Sequence, residues 1–156
     1  MAGRLKQASV VFIVVFAAAQ LVRPERANPA TDPTATIHAR VPTTSGLAAV
    51  LDRSCGDCHS NNTAWPWYTD IAPVSWLMAS GVAKGRNAIN FSAWDTYSPD
   101  VQRMLLSASC QDVSRGTMPG AYTIVRPETR LSPRDIETIC AAARQAEALA
   151  LAGGTK

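Results

Sequence analysis

Charge is scarce in this 156-residue chain and close to balanced, with 15 Lys and Arg against 12 Asp and Glu. Two of the cations, Arg4 and Lys6, precede an apolar N-terminal run, which leaves 13 cations against 12 anions in the body. No basic patch of the kind that grips phosphates is left, and nucleic acid is excluded as a partner. Histidine is scarcer still, limited to His38 and His59. No internal repeat is visible. The length suits one domain, and ordinary hydrophobic content with well-represented Pro and Gly describes a globular chain, neither disordered nor collagen-like.

The N-terminus has a short basic stretch, residues 1–7, followed by an apolar run over residues 8–22 interrupted by Ser9 and Gln20. This is the pattern of a secretory signal, and Ala17-Ala18-Ala19 offers a small-residue cleavage site. The run continues through Leu21 and Val22 into Arg23, which suits an uncleaved membrane anchor equally well. Either way the body is expected outside the cytoplasm, in the periplasmic or extracytoplasmic space. Residues 23–44, rich in Pro, Ala and Thr and without an apolar period, read as an extended linker. The packed domain is expected over residues 45–152.

Cys55-Gly56-Asp57-Cys58-His59 is a CxxCH sequence. Two thiols at this spacing can form thioethers to the two vinyl groups of one haem, and the adjacent His59 is then held beneath the iron. The preceding residues fit: Ser45 is a good N-cap, and Leu47, Val50, Leu51 and Ser54 recur at helical spacing. A thioredoxin-like dithiol needs a βαβ setting that this chain lacks, and a structural zinc site needs a second close pair of ligands. One covalent haem c is the expected cofactor.

For the sixth ligand, Met118 is the leading candidate, because it lies in an irregular Gly- and Pro-punctuated loop where helix packing does not require a Met. Pro119 biases Met118 towards extended conformations. Met78 and Met104 sit among apolar residues and read as core fillers. His38 falls in the linker; it, or no ligand at all, is the alternative. Between the motif and the loop the chain is aromatic, with Trp65, Trp67, Tyr68, Trp76, Phe91, Trp94 and Tyr97. Buried indole N–H groups need acceptors, and haem propionates would serve. Trp94 and Arg86, with Lys84 and Asn90, are the candidates for that contact. A solvated face is the plainer reading of Lys84 and Arg86.

Ser132-Pro133-Arg134-Asp135 is a strong helix start, and Ile136, Ile139, Cys140 and Ala143 then form one apolar face. That helix is expected to run to about Ala152, stop at Gly153-Gly154, and pack on the helix before the haem. Residues 99–110 also look helical. Cys110 and Cys140 are an even leftover pair, which in an oxidising compartment suggests a disulfide; two buried free thiols are the alternative.

The stretch CGDCHSNNTAWPWYTDIAPVSWLM, then GRNAINFSAW, then MPGAY, resembles the bacterial haem-binding domain family of cytochrome c-like proteins. The resemblance covers residues 47–139, residues 55–76 being its most specific part, and AQLVRPERANP is similar to the stretch after the N-terminal hydrophobic segment in such proteins. It implies a cytochrome c-like helical fold, covalent haem at Cys55, Cys58 and His59, and Met118 at the family's Met-Pro position. The chain departs from the pattern at Val125-Arg126, where a His is usual, and at Cys140, where a Trp is common. The expectation is a small all-α, cytochrome c-like domain wrapped around one haem. It would be an electron carrier between extracytoplasmic redox proteins and not an enzyme. A haem-based sensor and a peroxidase-like haem enzyme are the rivals.

Overall fold

Leu47, Val50, Leu51 and Ser54 line one buried face of a helix, as their spacing dictates. The computed structural model describes residues 1–41 and 45–153, and every regular element among them is helical. The α-helices are α1 (Ala2–Ala19), α2 (Ile37–Arg40), α3 (Ser45–Ser54), α4 (Gly56–His59), α5 (Val74–Ala88), α6 (Pro99–Ser114), α7 (Tyr122–Val125) and α8 (Pro133–Gly153). Short 3-10 turns lie at Trp67–Asp70, Phe91–Thr96 and Pro127–Thr129. The fold is all-α. Whether the Ser45 side chain caps α3, and whether Gly154 stops α8, lie outside the described residues.

Two long helices start where local chemistry satisfies their first amides. On α6, the Ser98 hydroxyl accepts from the Val101 amide at 3.4 Å, and Pro99 takes a position whose missing N–H costs nothing. At α8, the Ser132 hydroxyl accepts from the Asp135 amide at 3.2 Å while the Asp135 carboxylate accepts from the Ser132 amide at 2.8 Å. This is a reciprocal capping box. Arg53 on α3 also reaches Asp135 at 2.9 Å, tying the start of α8 to the helix that leads into the CxxCH sequence.

Ile139, Cys140 and Ala142 bury the inner face of α8. The helix touches α3, as its apolar face anticipates, but its larger partner is α6. A Cys110–Cys140 disulfide, with Cα atoms 4.8 Å apart, joins those two helices. The core gathers Ile37, Leu51, Phe91, Trp94, Leu106 and Ile139 from five parts of the chain. Met78 is buried, as expected, whereas Met104, expected as a core filler, is 61% exposed because Leu105 and Leu106 take the inward positions of α6.

The segment expected as an extended linker contains the short helix α2 and is pinned to the domain. The Ala27 carbonyl accepts from Arg86 at 2.7 Å, the Asn28 side chain donates to the Thr63 carbonyl at 2.9 Å, and the Asp95 amide donates to the Ala35 carbonyl at 3.2 Å. Its Ile37 is fully buried in the core, in the same cluster as Trp94. A Pro- and Thr-rich stretch has no partner strand for its backbone groups, so groups of the domain satisfy them instead. By contrast α1 buries none of its residues, and Val10 to Phe16 are all exposed. It is long and apolar enough to cross a membrane, with mean hydropathy 1.5, and is compatible with a signal or an anchor.

Candidate functional site

Cys55 is the corner between α3 and α4. Its amide donates to the Leu51 carbonyl at 3.0 Å and so ends α3, while its own carbonyl accepts from Cys58 at 3.2 Å and His59 at 3.0 Å and so starts α4. The two sulfurs therefore stand one turn apart and are not bonded to each other. Burial pushes the Cys55 thiol up to about 12, with a smaller push from Cys58. Burial, then the neighbouring Asp57, also raises Cys58. A redox dithiol needs the opposite, a depressed thiol, so these sulfurs are poor disulfide-exchange nucleophiles.

The His59 ring is oriented from behind. Its Nδ1 lies 3.1 Å from the carbonyl oxygen of Ile89. A carbonyl can only accept, so Nδ1 carries the hydrogen and Nε2 keeps its lone pair free. Burial holds the imidazole below its ordinary pKa, partly offset by that bond, which favours the neutral form able to ligate a metal. Phe91 packs against the ring with centroids 5.8 Å apart. On the other side of the motif, α5 comes so close that a Cβ on Gly85 would lie 2.4 Å from the Cys58 carbonyl oxygen. Only glycine permits that approach.

Cys55 and His59 open onto a cleft of about 850 Å³ of empty space, its open mouth included, walled by aliphatic and aromatic side chains such as Leu51, Phe91, Leu105, Val113 and Ile139. Met118 lines the same cleft. Its loop is fixed by Asp112: the carbonyl accepts from the Thr117 amide at 3.0 Å and hydroxyl at 2.9 Å, and the carboxylate accepts from that hydroxyl at 3.1 Å. Gly116 and Gly120, at φ of 72° and 57°, supply the left-handed turns on either side of Met118. Beyond the loop, Tyr122 donates to the Asp57 carboxylate at 2.7 Å, and Arg126 lies 3.6 Å from the same oxygen. The Met-bearing segment is thus fastened back onto the CxxCH helix.

The structure brings Cys55, His59 and Met118 onto one cleft, with Cys58 one turn from Cys55, and does not bring the other sequence candidates there. Arg86 bonds the Ser60 carbonyl, the Ala27 carbonyl, Asn28 and Thr63. Asn90 caps the following turn through Ser92 and donates to Asn61. Lys84 is exposed on α5, and His38 pairs with Asp52 at 2.8 Å. Trp94 is fully buried within the cluster that walls the cleft, and its indole N–H finds no partner among the described residues. An apolar cleft, a neutral imidazole and two adjacent thiols together fit a haem.

Sequence reading missed Asp57, Tyr122, Arg126, Asp112 and Gly85. Only the placement of Asp57 inside CxxCH gave a local hint; the rest act through contacts distant in the chain. A family model described as a haem-binding domain matches residues 14–145. No curated protein and no solved structure matches the chain.

Proposed function

Given that the chain belongs to the haem-binding domain family, we propose that it carries one haem covalently, as a c-type cytochrome domain passing single electrons between extracytoplasmic redox proteins. The observation that carries this reading is the joint placement of Cys55, His59 and Met118 on one apolar cleft, with His59 Nε2 left free by the Ile89 carbonyl. Haem, when bound, supplies the one-electron iron couple. Cys55 and Cys58 would hold the haem as thioethers to its two vinyl groups. His59 would offer Nε2 to the iron and Met118 a thioether sulfur, a pairing that would favour a raised potential. The aliphatic walls exclude water from the cleft. Electron transfer needs no catalytic acid or base here. The apolar segment at residues 8–22 serves as the export signal or tether.

Two features favour the rival readings. Met118 is 46% exposed on its loop, as a displaceable ligand would be. Asp112 places a carboxylate in the cleft, as a peroxidase would need. Spectroscopy of the haem-loaded protein separates the three. The carrier shows a weak far-red sulfur-to-iron band when oxidised, a single one-electron redox wave and little response to carbon monoxide when reduced. Rapid carbon monoxide binding establishes the sensor reading, and turnover of peroxide with an electron donor establishes the enzyme.

A further inference from the structure

The most specific stretch of the sequence, residues 55–76, does two jobs, and haem binding absorbs only the first. Thr69 is fully buried beneath it, and Trp65 is half-buried. Yet Trp67 is 74% exposed, and Ile71, Trp76 and Leu77 lie after it on the surface. None of these four lines the cleft. A scattered exposed Leu needs no explanation, but two indoles and two aliphatic side chains within eleven residues, on a turn and the helix packed against it, form a patch that does.

We propose that this face, built from the Trp67–Asp70 turn, Ile71 and the first turn of α5, is a membrane seat that lies in the interfacial layer of the phospholipid bilayer entered by α1. The proposal rests on reading residues 8–22 as a tether. Its support is where α1 ends. Gln20, the first residue after α1, accepts at its side-chain oxygen from the Ala72 amide at 2.9 Å and donates from its side-chain nitrogen to the Ala72 carbonyl at 3.5 Å. The Trp76 indole N–H donates to the Val22 carbonyl at 2.8 Å. The chain therefore leaves α1 and is bonded to this patch within three residues. With 18 residues α1 is about 27 Å long, and its uncharged part from Gln7 to Ala19 covers about 20 Å, so Arg4 and Lys6 reach the far headgroups along their own stems. A helix immersed as far as Ala19 puts Gln20 and Val22 at the headgroups, and Ala72 and Trp76 with them.

The side-chain chemistry agrees with that depth. Indole and phenol rings prefer the layer where one edge is apolar and the other wet. Arg23 and Arg26 sit at the exit of α1, suited to lipid phosphates, and Arg4 and Lys6 stand at its opposite end. Arg26 also pairs with Asp70 and lies 5.9 Å over the Trp65 ring, which fixes the strap to the base of the patch. A soluble partner or a second copy could cover the same side chains, but neither accounts for the end of α1 being bonded to them. The cleft is walled mainly by α3, α6 and α8, and none of the four residues of this face lines it.

The test uses the full haem-loaded chain in vesicles of phosphatidylcholine and phosphatidylglycerol carrying a diazirine lipid photoactivated near the headgroup, read residue by residue by peptide mass spectrometry. Trp67, Ile71, Trp76 and Leu77 are expected to label several-fold more than Met104 and Ile124, exposed apolar residues on α6 and α7. In a Trp67→Ser, Leu77→Ser double variant that keeps its haem spectrum, labelling of Ile71 and Trp76 is expected to fall several-fold. Label on the four residues no greater than on Met104 and Ile124 overturns the seat. The tether is read separately from label on α1. If α1 is cleaved or unlabelled, labelling of the four residues still supports the seat and its absence still overturns it.

Discussion

Gly85 stands where a side chain has no room, because α5 crosses the CxxCH helix at backbone contact. Gly85→Ala is expected to destabilise the fold by about 1–3 kcal/mol even though Ala gains ~1 kcal/mol in helix propensity, since the Cys58 carbonyl is backbone and cannot swing away. Thermal unfolding and haem content per chain would register it, and an unchanged midpoint would show that the two helices are not in that contact. Tyr122 poses a different question, since it bridges the Met118 segment to Asp57, a carboxylate 65 positions away. Burial raises the Tyr122 phenol well above its ordinary value, with Asp57 adding to the effect, so it is a pure donor at any working pH. Tyr122→Phe is expected to cost about 1–3 kcal/mol, the scale of a hydrogen bond to a charged group, and to weaken the far-red band while leaving both thioethers intact. At this scale the sequence was legible where the motif lies in adjacent residues, since Cys55 and His59 do face one cleft. It was silent where one residue acts on another across the fold: nothing local marks the Ile89 carbonyl as the group that turns His59, or Arg86 as the clamp on the strap instead of a cleft residue.

Helix starts were legible because capping is local chemistry, and the Ser132–Asp135 box stands where the sequence puts it. Asp135 is held below its ordinary carboxylate value of 3.8, first by the Ser132 amide and then by the Ser132 hydroxyl and Arg53. A depressed carboxylate adds stability above its unfolded pKa, and that stability is lost as pH falls through the folded one. Asp135→Asn should therefore flatten the loss of stability at and below pH ~4, and Asp135→Ala should cost about 1 kcal/mol at neutral pH through the lost cap. Chemical unfolding followed between about pH 7 and 3 measures both. Which helix α8 packs on was less legible, because an apolar face has no address. The partner is chiefly α6, and the cross-link between Cys110 and Cys140 spans 30 residues. Replacing both cysteines with Ser is expected to lower stability by about 3–4 kcal/mol on a chain-entropy basis, and to loosen two walls of the cleft together. An unfolding midpoint unaffected by reductant would contradict that role.

For the whole molecule, the fold class was readable from helical periods and the absence of alternating ones, but the extent of the packed body was not. Residues 23–41 have the composition of a linker, yet Ile37 fills the core and the strap is held at Ala27, Asn28 and Ala35 by residues far along the chain. A single buried Ile in a Pro- and Thr-rich stretch leaves no periodic trace. What the assembled elements share is the cleft: α3 ends at it, the loop after α6 returns to it, and α8 closes it. On this reading the cleft holds a haem bonded through sulfur. The most direct measurement is the intact mass, under denaturing conditions, of protein made in cells with haem-attachment machinery, with peptide mapping afterwards. The expected result is the chain mass plus one haem, carried on the peptide that contains Cys55 and Cys58, with neither thiol open to alkylation. A mass equal to the bare chain, with both thiols alkylated, would contradict it.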